Sequence, residues 1–139
     1  MTNEELVRKA CQVIWTDGDV SRIGEFYAEN FQANYPMTDW GKGLEGAKNL
    51  ALEIRAGFPD YRERIDELID EGDRIVVRLT ILGTHLGDYG GLPATGKSVE
   101  FTDVTICRIE NGRIVEQSGL SDLLTLFVQL GLIELPGSD

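Results

Sequence analysis

The chain has 139 residues and a mass of 15.4 kDa, with 42% hydrophobic and 27% charged side chains, which suits one domain over residues 1–139 able to bury a core without disulfides or metals. Its 13 Lys and Arg against 24 Asp and Glu leave a formal charge of −11, a field that disfavours nucleic acid and anionic membrane surfaces as partners. The two cysteines, Cys11 and Cys107, have no C-x-x-C spacing and no His/Cys cluster, so they read as reduced core residues and no metal site is expected.

The start, Met1-Thr-Asn-Glu-Glu, lacks the basic and apolar runs of a signal peptide. No apolar stretch reaches the roughly 18 residues of a membrane helix, and a cytoplasmic protein is expected. Leu6, Ala10, Val13 and Ile14 recur at helical spacing, predicting a first helix over about 4–16 with a left-handed cap at Gly18. Asp19 is placed to cap a short second helix over 20–28, with Val20, Ile23, Phe26 and Tyr27 on its apolar side. Phe31 to Tyr35 alternates as a short strand closed by Pro36. Leu44, Ala47, Leu50, Ala51 and Ile54 mark a third helix ending near Gly57, before Phe58-Pro59.

Beyond Tyr61 the period changes to two: 61–70, 74–86, 98–110 and 113–121 read as strands of an antiparallel meander, separated by Glu71-Gly72, a glycine-rich loop at 87–97, and Asn111-Gly112. The tail from Asp122 to Leu132 is apolar nearly all round and predicts a short helix over one mouth of the sheet. Helices followed by long antiparallel strands indicate an α+β fold, and strands of this length must twist and curve, leaving a concave face for a pocket.

Asn111-Gly112 is a two-residue hairpin signal that pairs Glu110 with Arg113 and Ile109 with Ile114. Strict alternation then pairs Cys107 with Glu116, Thr105 with Ser118, Asp103 with Leu120 and Phe101 with Asp122, all on one side, making Asp103 and Asp122 diagonal neighbours. Pairing Leu86 with Ser98 sends Val77, Leu79, Ile81, Gly83 and His85 to the same side. That face would carry a lone His, two carboxylates, Thr105 and Ser118 among aliphatic and aromatic groups, the composition of a small-molecule pocket. A carboxylate there has its pKa raised by desolvation, as acid/base work requires.

Each candidate has a plainer role. Asp122 is placed to cap the last helix, Asp103 to sit in solvent if its strand is turned over, and His85 to anchor the 87–97 loop. Gly87, Gly90, Gly91 and Gly96 do not have phosphate-loop spacing and mark a pocket-edge loop. Trp15, Trp40, Tyr27, Tyr35 and Tyr89 are either cavity lining or core.

Six segments resemble one family in order along the chain: Asp17-Gly-Asp, Phe58-Pro-Asp60, Glu71-Gly-Asp-Arg-Ile-Val-Val-Arg78, Gly83-Thr-His-Leu-Gly87, Leu92-Pro-Ala-Thr-Gly-Lys97 and Asn111-Gly-Arg-Ile-Val-Glu116. Together they resemble the SnoaL-like polyketide cyclases of the nuclear transport factor two superfamily. The resemblance implies a cone-shaped curved antiparallel sheet wrapped by N-terminal helices, a homodimer, and a catalytic acid/base Asp matching Asp122. It also implies a pocket-reaching Asn or His on the first strand, matching Asn34. Where ring-closing members have a polar pair with a His on the fourth strand, this chain has Thr105 and Cys107.

The combined expectation is a cyclase that closes a ring by intramolecular aldol condensation without cofactor on a small hydrophobic ketone or polyketide-like ligand. Asp122, His85 and Asn34 are its catalytic candidates. Asp103, Thr105, Ser118, Leu79, Phe101, Tyr35 and Trp40 are its ligand-contacting candidates. Isomerisation, dehydration and epoxide hydrolysis on the same fold, or ligand binding without catalysis, are the alternatives.

Overall fold

A computed structural model describes residues 1–137. Helix α1 (Asn3–Ala10) opens on a capping box: Glu5 N–H donates to Thr2 Oγ1 at 3.1 Å while the Glu5 carboxylate accepts from Thr2 N–H at 3.3 Å. It buries Leu6, Val7 and Ala10. The chain then widens into a π-helical turn over Cys11–Thr16. Its last carbonyls, those of Trp15 and Thr16, accept from the Arg55 guanidinium at 2.8 and 2.5 Å, which satisfies groups that a helix end leaves open.

The predicted second helix is shorter than expected, a 3₁₀ segment over Val20–Glu25, and Tyr27 belongs to strand β1 (Tyr27–Asn34). The reason is burial: Phe26, Tyr27 and Phe31 are at most 3% exposed, and Tyr27 OH accepts from Trp15 Nε1 at 2.8 Å. Helix α2 (Gly43–Gly57) stops where the Phe58-Pro59 step was expected to stop it. The meander follows as β2 (Arg62–Asp70), β3 (Arg74–Thr84), β4 (Ser98–Glu110) and β5 (Arg113–Ser121), and helix α3 (Leu123–Gln129) closes the order.

The five strands form one curved, unclosed sheet in the order β1-β5-β4-β3-β2, with β1 parallel to β5 and the other pairs antiparallel. The curved α+β sheet read from the sequence, and the cone that the resemblance implies, are the observed architecture. Helix α3 is fastened to β4 by Gln129, which accepts from Glu100 N–H at 2.8 Å and donates to Glu100 O at 2.9 Å. Among the described residues no helix is long and apolar enough to cross a membrane.

Two registers depart from strict alternation. The Asn111-Gly112 turn has φ of 51° and 71°, and Glu110↔Arg113 and Ile109↔Ile114 pair as expected. A bulge then intervenes, so that Arg108 faces Glu116, Cys107 faces Gln117, Thr105 faces Gly119 and Asp103 faces Ser121. Unbroken alternation would push the Glu116 carboxylate against Cys107 in the apolar interior. The bulge turns it outward, 3.5 Å from Arg108 Nε. Between β3 and β4, Thr84 faces Ser98, two residues from the predicted pairing. An even shift conserves the face, so Val77, Leu79 and Ile81 still point inward.

Candidate active site

The concave face and α1, α2 and α3 enclose a cavity of about 120 Å³, of the order of the roughly 150 Å³ that admits a benzene ring. Its walls are mostly apolar, with Leu79, Ile81 and Phe101 from the sheet, Leu50 and Ile54 from α2, and Leu123 and Leu126 from α3. Among the described residues its lining contains no Lys, Arg or His, and two carboxyl groups reach it, Asp103 and Glu63.

Asp103 is 5% exposed, flanked along β4 by Phe101 and Thr105 on the same face, and accepts a hydrogen bond from Ser121 Oγ on β5. Burial raises its pKa to about 6, and the Ser121 hydroxyl limits the rise by stabilising the anion. Glu63 is half-buried on β2 and accepts from Tyr61 OH at 2.7 Å. Burial pushes it further, to about 8; the Tyr61 hydrogen bond opposes the shift and the nearby Asp103 charge adds to it. The two acids therefore differ in their readiness to ionise, because the Asp103 charge adds to desolvation at Glu63 while the Ser121 hydroxyl offsets it at Asp103.

A second polar group forms the β1–β5 side. Tyr35 OH bonds Thr105 Oγ1 at 2.5 Å and accepts from Gln117 Nε2 at 2.9 Å, while its ring stacks on Trp40 at 5.0 Å and 15°. Trp40 in turn meets Trp15 edge-on at 5.3 Å. Burial raises the Tyr35 hydroxyl well above its ordinary value, so it remains a neutral donor or acceptor. Cys107, also lining the cavity, is pushed up to about 12 by burial and is a thiol near neutrality.

Of the residues singled out from the sequence, Asp103, Thr105, Leu79, Phe101, Tyr35 and Trp40 line the cavity. Asp122, His85, Asn34 and Ser118 do not. The bulge turns Asp122 off the inner face, so it is not the diagonal neighbour of Asp103; it is exposed and caps α3, accepting from Thr125 N–H at 3.1 Å and Thr125 Oγ1 at 2.6 Å. Those bonds hold its carboxyl below the ordinary value. Asn34 is exposed on the outer side with Ser118, whose Oγ lies 3.3 Å from Asn34 Nδ2. The same bulge moved Ser118 there, in place of Gly119.

His85 is fully buried beneath the loop, its ring 5.2 Å from that of Phe58. Its Nδ1 accepts from Thr95 N–H at 3.2 Å. It fastens the 86–97 segment rather than entering the cavity, and Leu86 and Gly87 N–H both donate to Gly57 O on α2, at 3.1 and 3.0 Å.

Glu63, Tyr61, Gln117 and Ser121 also line the cavity and are not among the candidates that the sequence pattern singles out. Tyr61, Glu63 and Ile65 form a period-two set in which a lone carboxyl stands between two apolar residues, the one signal for Glu63. Among the described residues no three His, Cys, Asp or Glu side chains gather as metal ligands.

A family model described as SnoaL-like polyketide cyclase matches residues 5–130. Aklanonic acid methyl ester cyclase DnrD of Streptomyces peucetius is 25% identical over 135 residues, covering 94% of this chain and 91% of the relative. Among solved structures, TsrD from Streptomyces laurentii superposes with a TM-score of 0.83 at 25% identity, covering 94% of this chain and 95% of that one. IdmH from Streptomyces antibioticus gives 0.82 at 27% identity, covering 92% and 97%.

Proposed function

Because the chain belongs to the SnoaL-like polyketide cyclase family, whose members act on small polyketides, we propose that it closes a ring by intramolecular aldol condensation with Asp103 as the general base. One observation carries this reading: a buried carboxylate, tuned to about 6, faces an otherwise apolar cavity. At neutral pH Asp103 is ionised yet poorly solvated, the state in which a carboxylate removes a proton from carbon beside a carbonyl. Ser121 orients it from β5, and the Tyr35–Thr105–Gln117 group supplies hydrogen bonds to ligand oxygens.

The aldol step itself calls on a base, a proton donor and positioning, and this reading assigns no metal or nucleotide to it. A cavity with two carboxyls and no cationic side chain among the described residues suits a neutral ligand such as an ester over a free carboxylate. The enclosed volume seats about one ring, the one being closed, with the remainder of a larger ligand towards the mouth. The homodimer fits the same reading, across the outer sheet face where Val104, Ile106 and Leu120 are 40–64% exposed. A monomer by light scattering would remove it.

The direct test is incubation with neutral polyketide keto esters, aklanonic acid methyl ester first, followed by mass and chromatographic detection of an isomeric cyclised product. Product formed by the native chain and lost in Asp103→Asn supports the reading; equal turnover by Asp103→Asn overturns it.

A further inference from the structure

The cavity holds a second acid that the base step does not use. We propose that Glu63 is the proton donor of the reaction, delivering its proton to the acceptor carbonyl oxygen while Asp103 takes one from carbon. This rests on the ring-closing reading above and deepens it by dividing the chemistry between two carboxyls.

Sheet register places the two acids on the same face but apart. Glu63 lies in the row Glu63–Ile81–Phe101, and Asp103 in the adjacent inward row Ile65–Leu79–Asp103–Ser121. They are two strands apart laterally and two residues along, about 10 Å and about 7 Å at sheet spacings. That separation leaves room for a ligand between them, with its acidic C–H at one carboxyl and its carbonyl oxygen at the other. Leu79 and Ile81 floor the gap.

The surroundings of Glu63 favour its neutral form. Tyr61 OH donates to Oε2 and the Cys11 thiol adds a second hydrogen bond, and burial outweighs both. The groups that face it are Tyr61 just before β2, Cys11 from the π-helical turn, Tyr27 from β1, and Asp103 and Cys107 from β4. None is a cation, and the single anion, Asp103, opposes ionisation of Glu63. Desolvation acts in the same direction, to about 8.

The step balances without a co-reactant. Asp103 accepts the C–H proton, the freed electron pair forms the new carbon–carbon bond, and the carbonyl π pair moves to oxygen, which takes the Glu63 proton to become a hydroxyl. Asp103 then returns its proton to Glu63 by way of solvent, and the product is an isomer of the substrate.

The test combines a pH–rate profile with an equilibrium measurement. With aklanonic acid methyl ester as the probe, the native profile of kcat/KM is expected to be bell-shaped, rising through about 6 and falling through about 8. Glu63→Gln keeps the shape and an N–H donor but no transferable proton; it should lower kcat by about 10²-fold or more with KM within a few-fold, and abolish the upper limb. Glu63→Asp should restore part of kcat. An unchanged kcat and upper limb in Glu63→Gln, with Asp103→Asn inactive, overturns the proton donor and leaves the base standing. An active Asp103→Asn instead removes the ring-closing reading.

Infrared difference titration of the native protein decides the matter independently of turnover. A protonated carboxyl band that disappears through about pH 8, shifted in Glu63→Asp, is expected; no such band above pH 6 overturns the proposal.

Discussion

Ser121, and not Asp122, stands opposite Asp103 across β4 and β5, and its hydroxyl donates to Asp103 Oδ2. One extra residue in β5, beside the Asn111-Gly112 turn, decides this. The bulge assigns the two neighbouring polar residues opposite fates: Ser121 lines the cavity, and Asp122 caps a helix in solvent.

Removing the Ser121 hydroxyl takes away the hydrogen bond that favours the Asp103 anion. Ser121→Ala should therefore raise the Asp103 pKa above about 6, and the acid limb of the pH–rate profile should move upward. An unmoved acid limb would separate Asp103 from the rate-governing base.

Asp122→Ala deletes an N-cap and nothing in the cavity. Stability should fall by about 1 kcal/mol, roughly 3 °C in melting temperature, with ring closure within about twofold of native. A loss of hundredfold in kcat without unfolding would return Asp122 to the chemistry.

Glu63 makes stability depend on pH with a definite sign. Its folded pKa lies above the ordinary value of 4.5, at about 8, so the folded state binds the proton more tightly. Stability is then fullest below pH 4.5 and declines as pH rises through about 8. Denaturant titrations at pH 5 and pH 8.5 should differ by on the order of a few kcal/mol in the native protein. The difference should be smaller in Glu63→Gln; equal slopes with pH in the two proteins would contradict the assignment.

Gly119 is where the sheet meets the Tyr35 ring. A Cβ built there would lie 2.6 Å from Tyr35 Cε2 and 2.7 Å from its hydroxyl oxygen, so Gly119→Ala forces the ring from its place between Trp40, Thr105 and Gln117. The expected cost is about 1–3 kcal/mol in stability, with a raised KM because the displaced ring narrows the cavity. Thermal melting and initial rates would show both, and a native-like KM would mean that Tyr35 does not contact ligand.

Much of the architecture follows from local chemistry that the chain carries in its own order. The helical spacing of Leu6, Ala10, Val13 and Ile14, the Phe58-Pro59 stop and the Asn111-Gly112 turn each act within a few residues, so helices α1 and α2 and the β4–β5 hairpin were legible before any tertiary contact. Alternation along β3 and β4 likewise exposed Leu79, Phe101, Asp103 and Thr105 as one face. A two-residue shift in the β3–β4 pairing left that face unchanged, because side chains repeat every two residues.

Local patterning was enough for the curved α+β sheet, its apolar inner face and the presence of Asp103 on it. Which polar groups share the cavity depends on how distant segments come together. The β5 bulge exchanges inner for outer residues beyond Ile109, bringing in Gln117, Gly119 and Ser121 and sending out Glu116, Ser118 and Asp122. Parallel pairing of β1 with β5 turns Asn34 outward to Ser118, and closure of the 86–97 segment occupies His85 with Thr95. Glu63 acquires its raised pKa only through burial in the closed fold and the Asp103 charge from β4, against the hydrogen bonds of Tyr61 and Cys11. Desolvation and register are sums over distant segments, and no local pattern of residues encodes them.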